Sequence, residues 1–354
     1  MTSCGCGPLT DTVPARVKRE ERILLTRYVW VDNVRGAIIL LMVAGHVERA
    51  VVSAGAGTGV LTVFDMVLYS FHMPVMFFLS GFLVRDLGKR YSSAECGERV
   101  LKSVVKLYVP YLFAVYAYWG VKMLFHAGNE PVSWHDVLTL WIMPRWNLWF
   151  LCALTLIEVI VAVFRRFSDR YALLLTMFLC YALWFVIAGV GLDSDKPYSW
   201  CAYGVFYVLG MIVRCHERDW KSRVVVLAAL GPLGVAMVLL VLSVNPVGRM
   251  LCAGAAVSLL CFAGRSVLER RMRVLGLLGR YTLEIYLCHF IGVSVLVEAC
   301  LALGMSDAYV IWMVCTLLCT LLPLLVVAAY ARVRPLAFLR YVFHPYSLLR
   351  SRRE

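Results

Sequence analysis

Long apolar runs alternating with short polar, mostly basic stretches set the pattern of this chain. Runs near 32–52, 61–84, 104–125, 148–165, 171–190, 200–214, 224–243, 247–264, 279–302 and 308–331 dominate it. A helix that crosses a bilayer needs about 20 predominantly apolar residues, and most of these runs are that long. The pattern therefore predicts an all-α, polytopic integral membrane protein with about ten transmembrane helices. The sixth run, 200–214, is short for a crossing.

The loops between the runs alternate in charge. Arg16, Lys18, Arg19, Arg22 and Arg27 precede the first run, and Arg85, Lys89, Arg90, Arg99, Lys102 and Lys106 follow the second. Later clusters are Arg165/Arg166/Arg170, Arg214/Arg218/Lys221/Arg223, Arg265/Arg270/Arg271/Arg273 and the tail from Arg332 to Arg353. The other loops carry almost no Lys or Arg, with Arg145, Lys196 and Arg249 as exceptions. Basic loops stay cytoplasmic, so both termini are expected there, which agrees with an even number of crossings. The expected organisation is a cytoplasmic tail over 1–30, a transmembrane domain over 31–332 and a basic cytoplasmic tail over 333–354. The loop near 126–147 is too short for a soluble domain.

Composition supports the membrane assignment. Of the 354 residues, 62% are hydrophobic and 16% charged, against about 45–50% and 25% in soluble domains. The formal charge of +13 is dispersed through loops and no nucleic-acid motif accompanies it, so no nucleic-acid partner is expected. Most of the thirteen cysteines sit inside apolar runs, where Cys acts as a small hydrophobe. Cys4 and Cys6 form a Cys-Gly-Cys segment open to acylation, to weak metal binding or to neither. No cleavable signal peptide is evident, since the first thirty residues lack an apolar core. No metal site and no bound cofactor are expected.

Candidate chemistry begins in the first run. Arg35 and His46 are eleven residues apart, about three helical turns, so both face one way roughly 16 Å apart along the axis. Asp32 lies close to that face. Ionisable groups in an apolar span usually face a protein interior or a wet cavity. Set against function is a plainer reading, an interfacial Asp32–Arg35 pair and a His46 satisfied by a neighbouring helix. In the second run Pro74 removes a backbone donor beside His72. His72 is either a site residue or a packing histidine, and Ser80-Gly81 suits close helix contact. Arg145, Asn147 and Trp149 lie near the far interface, where an aromatic belt is also expected. Glu158 and Glu284 are intramembrane carboxylates whose partners the sequence leaves open. Tyr286 and His289 are three apart and share a face.

Four segments together resemble the acyltransferase-3 family of polytopic membrane O-acyltransferases. They are Asp32-x-x-Arg35-Gly36 with His46 following, Phe71-His72-Met73-Pro74 with Phe77-Phe78-Leu79-Ser80-Gly81-Phe82, Asn147-Leu148-Trp149-Phe150-Leu151, and Gly279-Arg280-Tyr281-Thr282-Leu283-Glu284-Ile285-Tyr286-Leu287-Cys288-His289. Asn147 stands where that family commonly has His, and Thr282 where it commonly has Ser. The resemblance implies transfer of an acyl group, usually acetyl from acetyl-CoA, to a hydroxyl of an extracytoplasmic sugar or lipid-linked glycan. His46 is then the expected general base or transient acyl carrier, with Arg35 and Asp32 at its cytoplasmic side. His72, Arg145, Asn147, Trp149, Glu158, Tyr286 and His289 are candidate donor- or acceptor-binding residues. Two other readings suit the polar residues: a transporter of a glycan or lipid-linked sugar, and a non-catalytic membrane scaffold. Plasma membrane and endomembrane give the same charge pattern.

Overall fold

The computed structural model describes residues 28–56, 58–84, 89–125, 132–142, 144–168, 203–215 and 272–351, with isolated helical residues at 175, 176 and 179. The runs expected at 171–190, 224–243 and 247–264 lie wholly or almost wholly outside the described residues, as do Cys4 and Cys6. The described chain is helical: α1 Val29–Ser53, α2 Gly59–Phe82, α3 Ser93–Ser103, α4 Val109–Phe125, α5 Trp149–Phe167, α6 Gly204–Cys215, α7 Arg273–Arg280, α8 Thr282–Ala302, α9 Ala308–Arg332, α10 Leu339–Phe343 and α11 Tyr346–Ser351. Among these residues six helical segments are long and apolar enough to cross a membrane.

The third predicted run begins earlier than expected. The crossing segment spans Ser93–Leu124, so Arg99, Lys102 and Lys106 are helical rather than in a loop. A capping box starts α3: Ser92 Oγ accepts from Glu95 N–H at 3.2 Å, and Glu95 Oε2 accepts from Ser92 N–H at 2.9 Å. This satisfies two end donors that apolar periodicity cannot reveal. Between α3 and α4 the helix widens into a π-turn, Val104–Tyr108. Pro110 follows it, and a proline ring displaces the carbonyl four residues back, here that of Lys106. Of the sixth predicted run, the described residues hold the 12-residue helix α6, and residues 200–202 lie outside them.

The helix α1 lies inside the bundle and packs against α2, α7, α8 and α9. Its buried side chains include His46, Glu48 and Asn33 as well as Val, Ile and Met. Glycines allow the tightest crossings. A Cβ on Gly36 would lie 2.0 Å from the Leu275 carbonyl oxygen, and one on Gly279 would lie 1.8 Å from that of Asp32. The α2–α6 crossing repeats the device: a Cβ on Gly81 would fall 1.8 Å from Tyr207 O, and one on Gly210 2.1 Å from Phe78 O. The close contact expected of Ser80-Gly81 is thus present. On the outside, α9 exposes Met313, Leu317, Leu321 and Leu325, an apolar face suited to lipid.

Backbone atoms cannot move aside as a side chain can. Gly279→Ala is therefore expected to destabilise the protein by about 1–3 kcal/mol or more, read as a lowered thermal midpoint in detergent. Gly97→Ala on α3, where an added Cβ meets nothing within 4 Å, is expected to be neutral or to stabilise by up to about 1 kcal/mol.

Candidate active site

The buried histidines of α1, α2 and α8 converge. His46 stacks on His289 with ring centroids 5.3 Å apart and planes 20° apart. Tyr69 bridges to the third, its ring 4.6 Å from that of His72 and its hydroxyl 2.8 Å from His46 Nδ1. The Asn147 carboxamide lies 3.0 Å from the same nitrogen. Tyr286 donates from its hydroxyl to the Asn147 carbonyl at 2.6 Å. A hydrogen-bonded chain thus runs from Tyr286 through Asn147 to His46.

The ring tautomers follow from the partners. A carbonyl oxygen only accepts, so an imidazole nitrogen bonded to one must carry the proton. His72 Nδ1–H donates to Leu68 O at 2.8 Å. His289 Nδ1–H donates to Tyr286 O at 2.7 Å and Ile285 O at 3.1 Å. In the neutral rings Nε2 then holds the lone pair. That atom of His289 is buried with no hydrogen-bond partner among the described residues. His46 differs, because Tyr69 and Asn147 each offer a group able to serve either tautomer: a hydroxyl donates or accepts, and a carboxamide does either by turning over.

Asn147 is held by a fastened loop. Tyr111, Tyr116 and Trp119 of α4 donate to the carbonyls of Leu140, Val137 and Ser133 at 2.5, 3.1 and 3.1 Å. Tyr108 donates to that of Trp141. Arg145 pairs with Asp136 at 2.6 Å within this loop. Trp146 then adopts φ 55°, a left-handed conformation that costs a bulky side chain about 1–3 kcal/mol and persists only where the surroundings impose it. Its ring meets Tyr118 edge-on at 4.7 Å. Beyond His46, Arg49 forms a two-pronged pair with Asp65 at 3.0–3.2 Å and lies 3.4 Å above the Tyr69 ring.

A cavity of about 550 Å³ occupies the other side of Tyr286. Arg35, Arg99, Lys102, Lys106 and Glu158 line it, and Ser103 Oγ donates to Glu158 at 2.5 Å. Tyr286 therefore belongs to both regions, its ring at the cavity wall and its hydroxyl on Asn147.

The structure brings together six of the ten sequence candidates. His46, Asn147, Tyr286 and His289 form one cluster, and Arg35 and Glu158 share the cavity. His72 adjoins the cluster through Tyr69, and its Nδ1–H is taken up by its own helix. Trp149 stacks with Tyr203 at 5.6 Å and Phe77 at 6.3 Å, and Asp32 lies where α7 crosses α1. Glu284 receives a partner that sequence left open, His344 at 2.8 Å. Sequence reasoning passed over Tyr69, whose only signal was a position three residues before His72, and the loop-fastening tyrosines, which read as apolar helix.

A family model described as an acyltransferase domain, Acyl_transf_3, matches residues 28–331. The nodulation protein NolL of Sinorhizobium fredii is 28% identical over 145 residues, covering 40% of this chain and 38% of that protein. The nodulation protein NolL of Mesorhizobium japonicum is 26% identical over 140 residues, covering 39% and 36%. The chain thus spans well under half the length of these curated relatives. No solved structure matches.

The tautomers are open to direct measurement. In ¹⁵N spectra of histidine-labelled protein, His72 and His289 are expected to show a protonated Nδ1 and a lone pair on Nε2. A protonated Nε2 on either neutral ring would contradict the hydrogen-bond assignment.

Proposed function

The chain belongs to the Acyl_transf_3 acyltransferase family, and on that premise we propose that it is a membrane O-acyltransferase moving an acyl group, acetyl in the simplest case, from an acyl-CoA to a hydroxyl of a sugar or lipid-linked glycan. It is an integral, multi-pass membrane protein. The orientation proposed from loop charge puts the cavity end in the cytoplasm, where acyl-CoA is found, and His46 toward the opposite side, where the acceptor arrives.

The observation that carries this reading is the Tyr286–Asn147–His46 chain. It links a basic cavity of ligand size to a buried imidazole, with one residue layer between them. Pockets of about 300–1,000 Å³ hold small-molecule ligands. Arg35 in the cavity wall suits phosphate, which guanidinium matches geometrically.

In the direct route His46 holds its proton on Nδ1, facing Tyr69 Oη or the turned carboxamide oxygen of Asn147. Its Nε2 takes the proton of the acceptor hydroxyl as that oxygen attacks the thioester carbonyl. The C–S bond then breaks, and CoA leaves as a thiolate that takes up a proton. In the alternative route Nε2 attacks the thioester carbonyl and CoA leaves as a thiolate; the acceptor oxygen then displaces the imidazole, and its proton passes to that thiolate. Both routes need the same ring held by the same two partners. A positioned base contributes about 10²–10⁴-fold to such a step.

The test is release of free CoA by purified protein in nanodiscs, given acetyl-CoA with a panel of sugars and lipid-linked glycans. His46→Ala is expected to lower acceptor-dependent release by about 10²–10⁴-fold with membrane insertion unchanged. Tyr69→Phe and Asn147→Ala, which each remove one polar partner, are expected to lower it about tenfold, the equivalent of roughly 1.4 kcal/mol. Full release in His46→Ala would refute the assignment. Sugar flux across vesicles without any acyl-CoA would favour a transporter.

A further inference from the structure

Helices α8 and α9 form a hairpin whose register is set by its own ends. Helix α8 stops at Ala302 and α9 starts at Ala308. Gly304 takes φ 80°, the left-handed turn that closes a helix C-terminus, and Met305 N–H donates back to the Cys300 carbonyl at 3.1 Å. Asp307 then caps α9, its carboxylate accepting from the N–H groups of Tyr309 and Val310 at 2.9 and 3.0 Å. The buried stripe of α9 includes Ile311, Cys315 and Cys319, and that of α8 includes Val293, Val297 and Cys300. Where the stripes meet, Cys300 Sγ lies 3.7 Å from Cys315 Sγ. Cys319, a turn deeper, meets Gly292 instead: a Cβ there would lie 3.2 Å from its sulfur.

In the orientation proposed from loop charge, the α8–α9 turn is extracytoplasmic. Cys300 stands two residues before the end of α8 and Cys315 seven after the start of α9, about 3 and 10 Å of helix rise. Both sulfurs therefore lie in the extracytoplasmic half of the hairpin. Thiols that enter oxidising compartments pass to disulfides when a partner is in reach. Bonding takes the two sulfurs from contact to about 2.05 Å, a shortening within reach of side-chain rotation, since each sulfur swings on its own Cβ. In sequence the two residues read as small hydrophobes, and only the hairpin pairs them.

We propose that Cys300 and Cys315 form a disulfide that staples α8 to α9 three turns beyond His289. The bond is made by thiol–disulfide exchange while the hairpin enters the bundle, before its sulfurs are buried. One thiolate attacks the disulfide of an extracytoplasmic dithiol oxidase, and the second displaces the oxidase from the mixed disulfide. One S–S bond forms in this protein and one breaks in the oxidase, which receives two electrons and the two thiol protons. Helix α8 carries Tyr286 and His289, and α9 carries Trp312, whose indole N–H donates to Ala44 O at 2.8 Å, two residues before His46. The staple joins the two helices that pack along α1 and so fixes the walls of the imidazole cluster.

The experiment quenches membranes with acid, denatures them in alkylating agent and maps the cysteines of the full chain by mass spectrometry. The membranes come from a bacterial host with its periplasmic thiol oxidase intact and from a host lacking it. The peptides holding Cys300 and Cys315 are expected as a linked pair, lighter by two hydrogens than their thiol forms, in the first host and as alkylated thiols in the second. Cys96, on the basic helix α3, is the internal control for a free thiol. Dithiothreitol is expected to lower the thermal midpoint of the purified wild type by roughly 5–10 °C, as release of a loop of about fifteen residues implies. It is expected to leave the midpoints of Cys300→Ala and Cys315→Ala unmoved. The mapping uses the wild type alone, so a folding defect in a variant does not mask the answer. Alkylated thiols at both positions in the first host, or an equal response to reductant in the variants, would overturn the staple. The staple does not rest on acyl transfer: acceptor-dependent CoA release by protein whose two thiols are free would overturn it and leave the acyltransferase reading standing.

Discussion

The whole arrangement depends on burying a polar helix in a bundle that otherwise faces lipid. Helix α1 carries Asp32, Arg35, His46 and Glu48 on an apolar frame, and such groups cannot be turned toward hydrocarbon without cost. They need protein on nearly every side. The glycines meet that need. At Gly36 and Gly279 the backbones of α1 and α7 approach so closely that no side chain fits between them. Trp312 of α9 adds a hydrogen bond to the Ala44 carbonyl at 2.8 Å. With α1 enclosed, one end of it borders a wide cavity and the other end reaches a packed group of imidazoles.

Those two regions are chemically unlike. The cavity side is basic, and the imidazole side is a tight cluster of polar groups in which carbonyl acceptors fix the tautomers of His72 and His289. Tyr286 and Asn147 form the layer between them. Such a partition sets a cationic surface apart from a buried cluster where hydrogen bonds are strong. Rigidity on the imidazole side comes from outside the cluster: the α4 tyrosines hold the loop behind Asn147, and the Arg49–Asp65 pair holds Tyr69.

The features that were legible in the sequence are those that depend on local pattern. The all-helical membrane class followed from run length. The positions of α1, α2, α5, α8 and α9 came within a few residues, and His46, Arg35, Tyr286 and His289 stood out because polar groups are conspicuous in apolar runs. Other features were hidden for physical reasons. Arg99 and Lys102 read as loop charges because α3 is amphipathic and its start depends on a cap between Ser92 and Glu95; Lys106 follows in the π-turn. Tyr111 and Tyr116 read as apolar helix because a tyrosine shows its hydroxyl's use only when a carbonyl meets it. Asn147 is a departure from the family pattern in sequence, yet in space it is a direct partner of His46.

By itself, then, the sequence determined what must lie in a membrane and which side chains were too costly to be there without a purpose. Periodicity and the price of an unpaired charge in hydrocarbon are enough for that, since both act along a single helix. Only the tertiary structure decided which of those side chains meet. The stacking of His46 on His289, the route from Tyr286 through Asn147, and the gathering of Arg35 with the cations of α3 join segments up to roughly 240 residues apart. Such encounters depend on helix crossings, and a crossing is set by glycine contacts and side-chain packing between elements, which no pattern within one element records.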